Sequence, residues 1–403
     1  NMFKSLSLKV IIFGFIFTFF SSFGQSFFLG LFNSSIREAL SISHGQFGSI
    51  YASATLCSSL LLIWVGKKID DMNVFKFAFF VTILLSFSCF FFSKVSSVIL
   101  LFIAIFLMRF SGQGMMSHTA STTISRYFTK SRGKALSAGW FGLSSAEFIL
   151  PVSIVYLLTF VDWQNIWFGI SILVLILLPI FSFILVKNLK LDSREKTNES
   201  EKIDQNIKQW KRIEVIKDYR FYIITMNMLA MPWIATGVFV YQPFITNSKG
   251  WGPYIIAQSF MSYSIFSVIT LIVSGFLIDK FTSRKLLIYM NIPLLISTLV
   301  IIYFNAPLTA FIFLGLVGIS NGWANVLGSS TWAEMYGVKY IGSIKALTTA
   351  LMVFASAFGT ALFGVFIDFG FSIEEIAVVS GIYIFLSIVL LFLIRKKLNP
   401  III

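Results

Sequence analysis

Residues 66–71 read Gly-Lys-Lys-Ile-Asp-Asp, and residues 275–280 read Gly-Phe-Leu-Ile-Asp-Lys. In both stretches an aspartate follows the glycine by four positions, and the copies lie 209 positions apart. The same offset carries Gly133 onto Gly342, and a Lys-Ala-Leu triplet follows each of these glycines within three positions. Long internal repeats are typical of transporters built from two related halves. The repeat therefore predicts a chain with two structurally similar halves.

The composition places this repeat in a membrane protein. Of 403 residues, 57% are hydrophobic and 12% are charged, and the mean hydropathy is +0.88. Soluble domains have about 25% charged and roughly 45–50% apolar residues, so an ordinary soluble enzyme is excluded. Apolar stretches of about 20 residues, long enough to cross a bilayer, occur twelve times. They cover residues 8–32, 46–66, 74–93, 97–118, 135–160, 164–187, 219–245, 254–277, 285–304, 308–330, 342–367 and 372–394.

The basic residues predict how these spans are oriented. With both termini in the cytoplasm, 27 of the 31 Lys and Arg residues lie in or beside segments predicted as cytoplasmic. Only Arg37, Lys94 and Lys249 fall outside, and Arg109 falls within a span. This bias is the positive-inside pattern. The net charge of +14 is thus a topology signal, and nucleic-acid binding is not expected.

One long polar segment, residues 188–218, contains eight basic and seven acidic residues. It divides the chain into an N-terminal bundle of six helices, 1–187, and a C-terminal bundle, 219–403. Within it, Ile203, Ile207, Trp210 and Ile213 are spaced as one apolar stripe of a helix. The stripe predicts a helix lying on the inner leaflet. A disordered charged linker is the alternative.

The motifs resemble those of the major facilitator superfamily over essentially the whole chain. Gly66 and Asp70 look like its loop signature between helices two and three, and Gly275, Asp279 and Arg284 like the echo between helices eight and nine. The resemblance implies an all-α fold of twelve transmembrane helices in two pseudo-symmetric six-helix bundles. It also implies secondary active transport by alternating access, in a protein that works as a monomer.

A finer resemblance concerns span four and span one. Arg109 followed by Gly112-Gln113-Gly114 is similar to the arginine and glycine motif of helix four, and Gly24-Gln25-Ser26-Phe27-Phe28 is similar to bacterial monocarboxylate and oxalate/formate carriers. This implies a protein of the bacterial inner membrane and a carboxylate substrate. Span eight, 254–277, lacks the arginine on which those carriers depend.

The loop motif also has a physical interpretation of its own. Glycine permits helices to approach closely, and Asp70 or Asp279 can accept hydrogen bonds from a neighbouring helix N-terminus. Such contacts are expected to hold the cytoplasmic side in one state. The alternative is a turn that only sets topology.

Two charged residues lie deep within predicted spans, Arg109 and Glu147. Ionisable groups at such depth are costly and therefore indicate function. We expect Arg109 to attract an anionic group or to keep Glu147 ionised, while Glu147 binds and releases a proton. A permanent structural ion pair between the two residues is the alternative.

Uncharged polar side chains within spans are further candidates for substrate binding, although such groups also hold helices together in lipid. They are Gln25, Gln113, Asn321 and Asn325. Pro151 and Pro232 also predict local breaks in spans five and seven, where freed carbonyl groups can line a cavity.

The sequence therefore predicts a secondary transporter for a small organic solute, a carboxylate, coupled to protons or to a counter-solute. The alternatives are a proton-driven exporter of amphipathic compounds and a sensor that transports nothing. No phosphate-binding Gly-rich loop, nucleophile triad or metal-ligand spacing occurs, so neither an enzyme nor a cofactor or metal is expected. The expected partners are the solute, a proton or counter-solute, and membrane lipid.

Overall fold

The computed structural model describes residues 2–70, 72–127, 132–189, 206–337 and 340–402 of the chain. Among these residues, twelve helices are long and apolar enough to cross a membrane, and each overlaps one of the twelve predicted spans. The only β-structure in the described part is one antiparallel bridge between Ile207 and Ile402. The prediction of an all-α protein with twelve transmembrane helices is confirmed.

The helices before the long polar segment are α1 (Met2–Ser21), α2 (Ser26–Leu29), α3 (Asn33–Leu40), α4 (His44–Val65), α5 (Val74–Ser93), α6 (Val98–Met108), α7 (Ser117–Tyr127), α8 (Arg132–Leu157) and α9 (Trp163–Val186). Short 3-10 turns occupy Ser22–Gly24, Gly30–Phe32 and Gly66–Asp70, and a π-helix covers Arg109–Met116.

The polar segment itself contains α10 (Arg212–Ile216), and the helices after it are α11 (Tyr219–Val240), α12 (Gln242–Lys249), α13 (Ile255–Phe281), α14 (Ser283–Leu286), α15 (Ile292–Tyr303), α16 (Pro307–Tyr336), α17 (Ile341–Asp368) and α18 (Ile373–Ile394). Leu287–Tyr289 and Arg395–Lys397 form 3-10 turns.

Polar residues at the ends of spans determine where several helices begin. Ser43 accepts a hydrogen bond from Gln46 N, and the Gln46 side chain accepts one from Ser43 N, which is a capping box at the start of α4. Ser372 and Glu375 form the same box before α18. Each box satisfies amide groups that have no partner inside the helix.

Three local expectations are wrong. The first predicted span is not one helix, because α1 ends at Ser21 and Gln25 is extended (φ −84°, ψ 152°) before α2. The predicted breaks at Pro151 and Pro232 are absent, since α8 and α11 run through both prolines.

The third wrong expectation is the single helix predicted from the apolar stripe in the polar segment 188–218. Ile203 lies outside the described residues, Ile207 is in the bridge to Ile402, and helix α10 is confined to Arg212–Ile216. Backbone pairing with the C-terminal tail replaces helix formation here, so no single helix carries the stripe. Trp210 is nevertheless buried.

The chain forms two compact units. Unit 1 contains Asn1–Lys196 and Phe239–Pro243, and unit 2 contains Thr197–Val238 and Phe244–Ile403. In unit 1, α1 packs tightly along α8. The contact at Gly142 shows this, since a Cβ added there would lie only 1.9 Å from Phe15 O. This close pairing fixes the height of residues on α8 relative to the broken end of α1.

Candidate substrate site

The site in unit 1 begins with the interruption after α1. The 3-10 turn Ser22–Gly24 and the extended Gln25 separate α1 from α2. Residues here leave the regular helical hydrogen-bond ladder, so carbonyl groups become available to side chains. Gly24 O is one of them.

The π-helix Arg109–Met116 packs against this interruption. A Cβ added to Gly24 would lie 2.2 Å from Met108 O, and one added to Gly112 would lie 2.7 Å from Gly24 N. Both positions therefore require glycine. Single π-turns within helices are rare and occur frequently at functional sites.

Arg109 connects the two irregular segments. Its Nη1 donates a hydrogen bond of 2.8 Å to Gly24 O, and its guanidinium carbon lies 5.4 Å from the centre of the Tyr51 ring on α4. The residue is only 5% exposed, and its Nε has no hydrogen-bond partner among the described residues. No described carboxylate forms an ion pair with it. Arg109 is thus a buried cation without an acidic partner in the part of the chain that the structure describes.

Glu147 does not form the expected ion pair with Arg109. It is half-buried on α8, and its height follows from the packing of α1 against α8. A Cβ added to Gly139 would lie 3.9 Å from Gly14 Cα, and one added to Gly142 would lie 2.3 Å from Thr18 Oγ1, so positions on α8 follow those on α1 by about 125 residues in the same direction. Continuing this register along two parallel helices brings Glu147 to the level of residues 22–24. The permanent-pair alternative is wrong for this structure, yet the acid lies at the height of the interruption.

Two of the predicted amides are near Arg109. Gln25 forms the interruption itself, and the backbone N of Gln113 would be 2.5 Å from a Cβ on Gly24. Both side chains are half-buried and make no hydrogen bond to a described residue. They are therefore available to a ligand.

The two predicted asparagines belong to unit 2 and differ from each other. Asn321 donates a 2.8 Å hydrogen bond to Ser267 Oγ on α13, so it joins α16 to that helix. Asn325 is exposed on α16 and has no hydrogen-bond partner in the described part of the chain. Asn321 therefore fits the alternative of a polar group that holds helices together in lipid. Of the two asparagines, only Asn325 lacks a hydrogen-bond partner among the described residues.

The loop motif is only partly visible. The side chains of Asp70 and Asp279 and the whole of Asp71 lie outside the described residues. Gly66 O accepts a 2.7 Å hydrogen bond from His118 Nε2, whose ring would be 3.3 Å from a Cβ on Gly66. Around Gly275 there is open space, so the expected close helix approach does not occur there.

A carboxylate does cap a helix near the second loop, but it comes from α16. Glu334 accepts hydrogen bonds from Ser283 N at 2.8 Å and from Arg284 N at 3.1 Å, at the start of α14. Sequence reasoning missed Glu334, and it missed Tyr51 and its contact with Arg109. An acid near the end of an apolar span was the signal for Glu334, whereas nothing distinguishes Tyr51 from twelve other tyrosines.

The described residues include twelve helices long and apolar enough to cross a membrane, with a buried cation in one of them, and this combination indicates a membrane transporter. The sequence comparison gives the family: a model of the Major Facilitator Superfamily matches residues 14–360 and 234–401, and the chain belongs to this family. It is a transporter and not an enzyme. None of the curated proteins matches the chain.

Solved structures of transporters share the fold. A bacterial homolog of the human lysosomal transporter Spinster has 14% identity, covers 98% of both chains and gives a TM-score of 0.70. The nucleoside transporter NupG has 13% identity, covers 98% of both chains and gives a TM-score of 0.69. At such identities the likeness establishes the fold alone. The predicted kinship with monocarboxylate and oxalate carriers is not confirmed.

Proposed function

We propose that this transporter moves a small organic carboxylate by alternating access, coupled to protons, and that Arg109 binds the carboxylate. The single observation that carries the proposal is the state of Arg109. A buried guanidinium with a free Nε and no acidic partner among the described residues is costly in lipid, and a bound anion offsets that cost. The planar guanidinium matches the geometry of a carboxylate.

The neighbouring groups support a compact polar site. Gln25 and Gln113 offer amide donors and acceptors beside Arg109, and Asn325 is a candidate substrate contact in unit 2. Glu147 is the proposed proton carrier, because it is the acid at the height of the interruption and is not held by Arg109. Symport and exchange are both compatible with these roles.

The wider organisation is part of the proposal. Bundles 1–187 and 219–403 are joined by the linker 188–218, both termini are in the cytoplasm, and the protein acts as a monomer in a bacterial inner membrane. The distribution of basic residues supports this orientation.

A thermal-shift screen of the detergent-purified protein tests the substrate class. Small carboxylates, amino acids and amphipathic cations are compared at about pH 5.5 and about pH 7.5, since ligands that bind the folded state raise its melting temperature. Arg109→Gln is the test variant. Arg37→Gln is the matched control, because Arg37 is an arginine of the same unit that is only half-buried and donates to Asn33 Oδ1 at 2.6 Å.

A carboxylate that stabilises the wild type and Arg37→Gln, but not Arg109→Gln, supports the proposal. Stabilisation by amphipathic cations alone, unchanged in Arg109→Gln, contradicts it. That result would favour the second candidate, a proton-driven exporter of amphipathic compounds. One observation agrees with the exporter, namely a row of aromatic rings beside the interruption. The ring centres of Phe20 and Phe23 lie 5.6 Å apart, and those of Phe23 and Phe28 lie 5.1 Å apart.

Proton coupling is tested separately in proteoliposomes. An imposed pH gradient should drive uptake by the wild type but not by Glu147→Gln, which cannot release a proton. Glu147→Asp, which keeps the titratable group, should retain part of the gradient-driven uptake. Undiminished gradient-driven uptake by Glu147→Gln would exclude the proton-carrier role.

A further inference from the structure

Buried Arg220 joins several chain segments at one end of unit 2. Its Nε and Nη2 bind the carboxylate of Asp218 at 2.8–3.1 Å, and Tyr336 OH donates to the same carboxylate at 3.2 Å. Arg220 Nη1 donates to Lys397 O at 3.0 Å and to Asn399 O at 2.8 Å. The C-terminal tail is therefore fixed to the start of α11.

The linker before α11 is fixed to the same place. Lys208 N donates to Ile401 O at 2.8 Å, and Trp210 N donates to Tyr336 O at 3.0 Å. Ile207 and Ile402 form the antiparallel bridge, and Leu398 of the tail is buried. Linker and tail are thus held side by side by backbone hydrogen bonds.

This arrangement brings exposed cations of the linker and the tail to the same end of unit 2, and we call these residues the basic face. All six of its residues are exposed, three from the linker and three from the tail: Lys211, Arg212, Lys217, Arg395, Lys396 and Lys397.

The described acids nearby do not neutralise the basic face. Asp218 is occupied by Arg220, and Glu214 accepts from Lys211 N at 2.8 Å and pairs with Lys208 at 3.1 Å. The hydrogen bond from the Lys211 backbone, followed by the one from Lys208, lowers the pKa of Glu214. Both acids therefore remain engaged, and among the described residues the basic face keeps an excess of positive charge.

Apolar side chains are exposed on α10, at the start of α11 and at the end of α18. Ile213 is 61% exposed and Leu393 is 70% exposed, and Tyr219 and Tyr222 are exposed beside them. Tyrosine is enriched where a membrane meets water. An occupant of this surface must therefore offer both anionic and apolar groups.

We propose that the basic face is a binding site for an anionic phospholipid, whose phosphate lies between linker and tail and whose acyl chains cover the apolar side chains. Clusters of four to eight Lys and Arg residues beside a transmembrane helix are typical of such recognition. Each cation near an anionic surface strengthens binding by roughly fivefold. The inference does not depend on the transported solute.

The test uses the full-length protein in nanodiscs of phosphatidylcholine alone or with phosphatidylglycerol. Bound phosphatidylglycerol is counted by native mass spectrometry, and its stabilising effect is followed by thermal shift. The linker variant is Lys211→Gln/Arg212→Gln/Lys217→Gln, and the tail variant is Arg395→Gln/Lys396→Gln/Lys397→Gln. The matched control, Lys187→Gln/Lys280→Gln/Lys285→Gln, removes three exposed cations at other helix ends.

We expect phosphatidylglycerol to bind and stabilise the wild type and the control, and each of the other variants to lose roughly 100-fold in affinity. Equal losses in all three variants would overturn the proposal, because only general charge attraction would then operate. Full stabilisation by inorganic phosphate in phosphatidylcholine alone would also overturn it, in favour of a soluble anion. Size-exclusion profiles and lipid-free melting temperatures verify that each variant is folded.

Discussion

The buried cations of the two units are neutralised differently. In unit 1, Arg109 has a backbone carbonyl and an aromatic ring beside it, and no described acid pairs with it. In unit 2, Arg220 binds Asp218 and Lys249 binds Glu374. All three cations are largely removed from water. The pairs of unit 2 are complete within the protein, whereas Arg109 has no acidic partner among the described residues.

Lys249 shows how complete a structural cation can be. Its Nζ lies 2.9 Å from Glu374 Oε1 and donates to Asn305 Oδ1 at 2.8 Å and to Phe304 O at 3.2 Å. It also donates to Ile301 O. Lysine near a helix C-terminus satisfies the last carbonyl groups in this way. Lys249 thereby ties α12 to the end of α15 and the start of α18, and no binding capacity is left.

Arg109→Gln should give the largest effect on transport. Removing two charge-assisted hydrogen bonds to a substrate carboxylate, each about 1.5 kcal/mol or more, should lower uptake efficiency by about 100-fold. The melting temperature should not fall, because a buried charge without an acidic partner is lost. Radiolabelled uptake and thermal unfolding measure the two quantities. A large loss of stability with intact uptake would show that Arg109 has a structural role. Arg109 would then not differ in role from the paired cations of unit 2.

Arg220→Met should give the largest loss of stability. It leaves the buried Asp218 carboxylate without its cation, which typically costs about 3–5 kcal/mol. The double variant Asp218→Asn/Arg220→Met should recover part of that loss, since no isolated charge remains. Thermal unfolding and trypsin sensitivity of the tail report the effect. If the double variant were the less stable of the two, the pair would not act as a neutralised unit.

Lys249→Met should cost less than Arg220→Met. The substitution leaves carbonyl groups at the end of α15 without a donor, which lowers the free energy of unfolding by about 1–3 kcal/mol. Glu374→Gln should cost less again, because the Glu374 side chain is 37% exposed and the lysine keeps its carbonyl partners. Thermal unfolding of the two variants side by side gives the order. The reverse order would mean that the ion pair, and not the carbonyl cap, holds the three helices.

The sequence predicted the twelve spans because transfer into lipid depends on local composition. It also predicted that Arg109 is special, because a charge in an apolar run is visible without a structure. It could not predict the interruption at Ser22–Gly24, since the two prolines that suggested breaks lie elsewhere within continuous helices. Nor could it show that Glu147 does not pair with Arg109, because the two residues lie on different helices and their separation depends on how those helices pack.

Glu214→Gln should have the smallest effect, because Lys208–Glu214 is the exposed counterpart of the buried pairs. The pKa of Glu214 is lowered in the folded protein, so its ionised form stabilises the fold above the ordinary carboxyl pKa, and this contribution disappears as the pH falls through the lowered value. At neutral pH the variant should melt roughly 1 °C lower or less, since exposed pairs contribute little. The difference should vanish once the pH lies below the lowered pKa of Glu214, or in about 1 M salt. Thermal unfolding across pH and salt measures this. If the difference in melting temperature persisted in acid, the Glu214 side chain would act through packing and not through its charge. Solvent exposure would then not explain why this pair contributes less to stability than Asp218–Arg220.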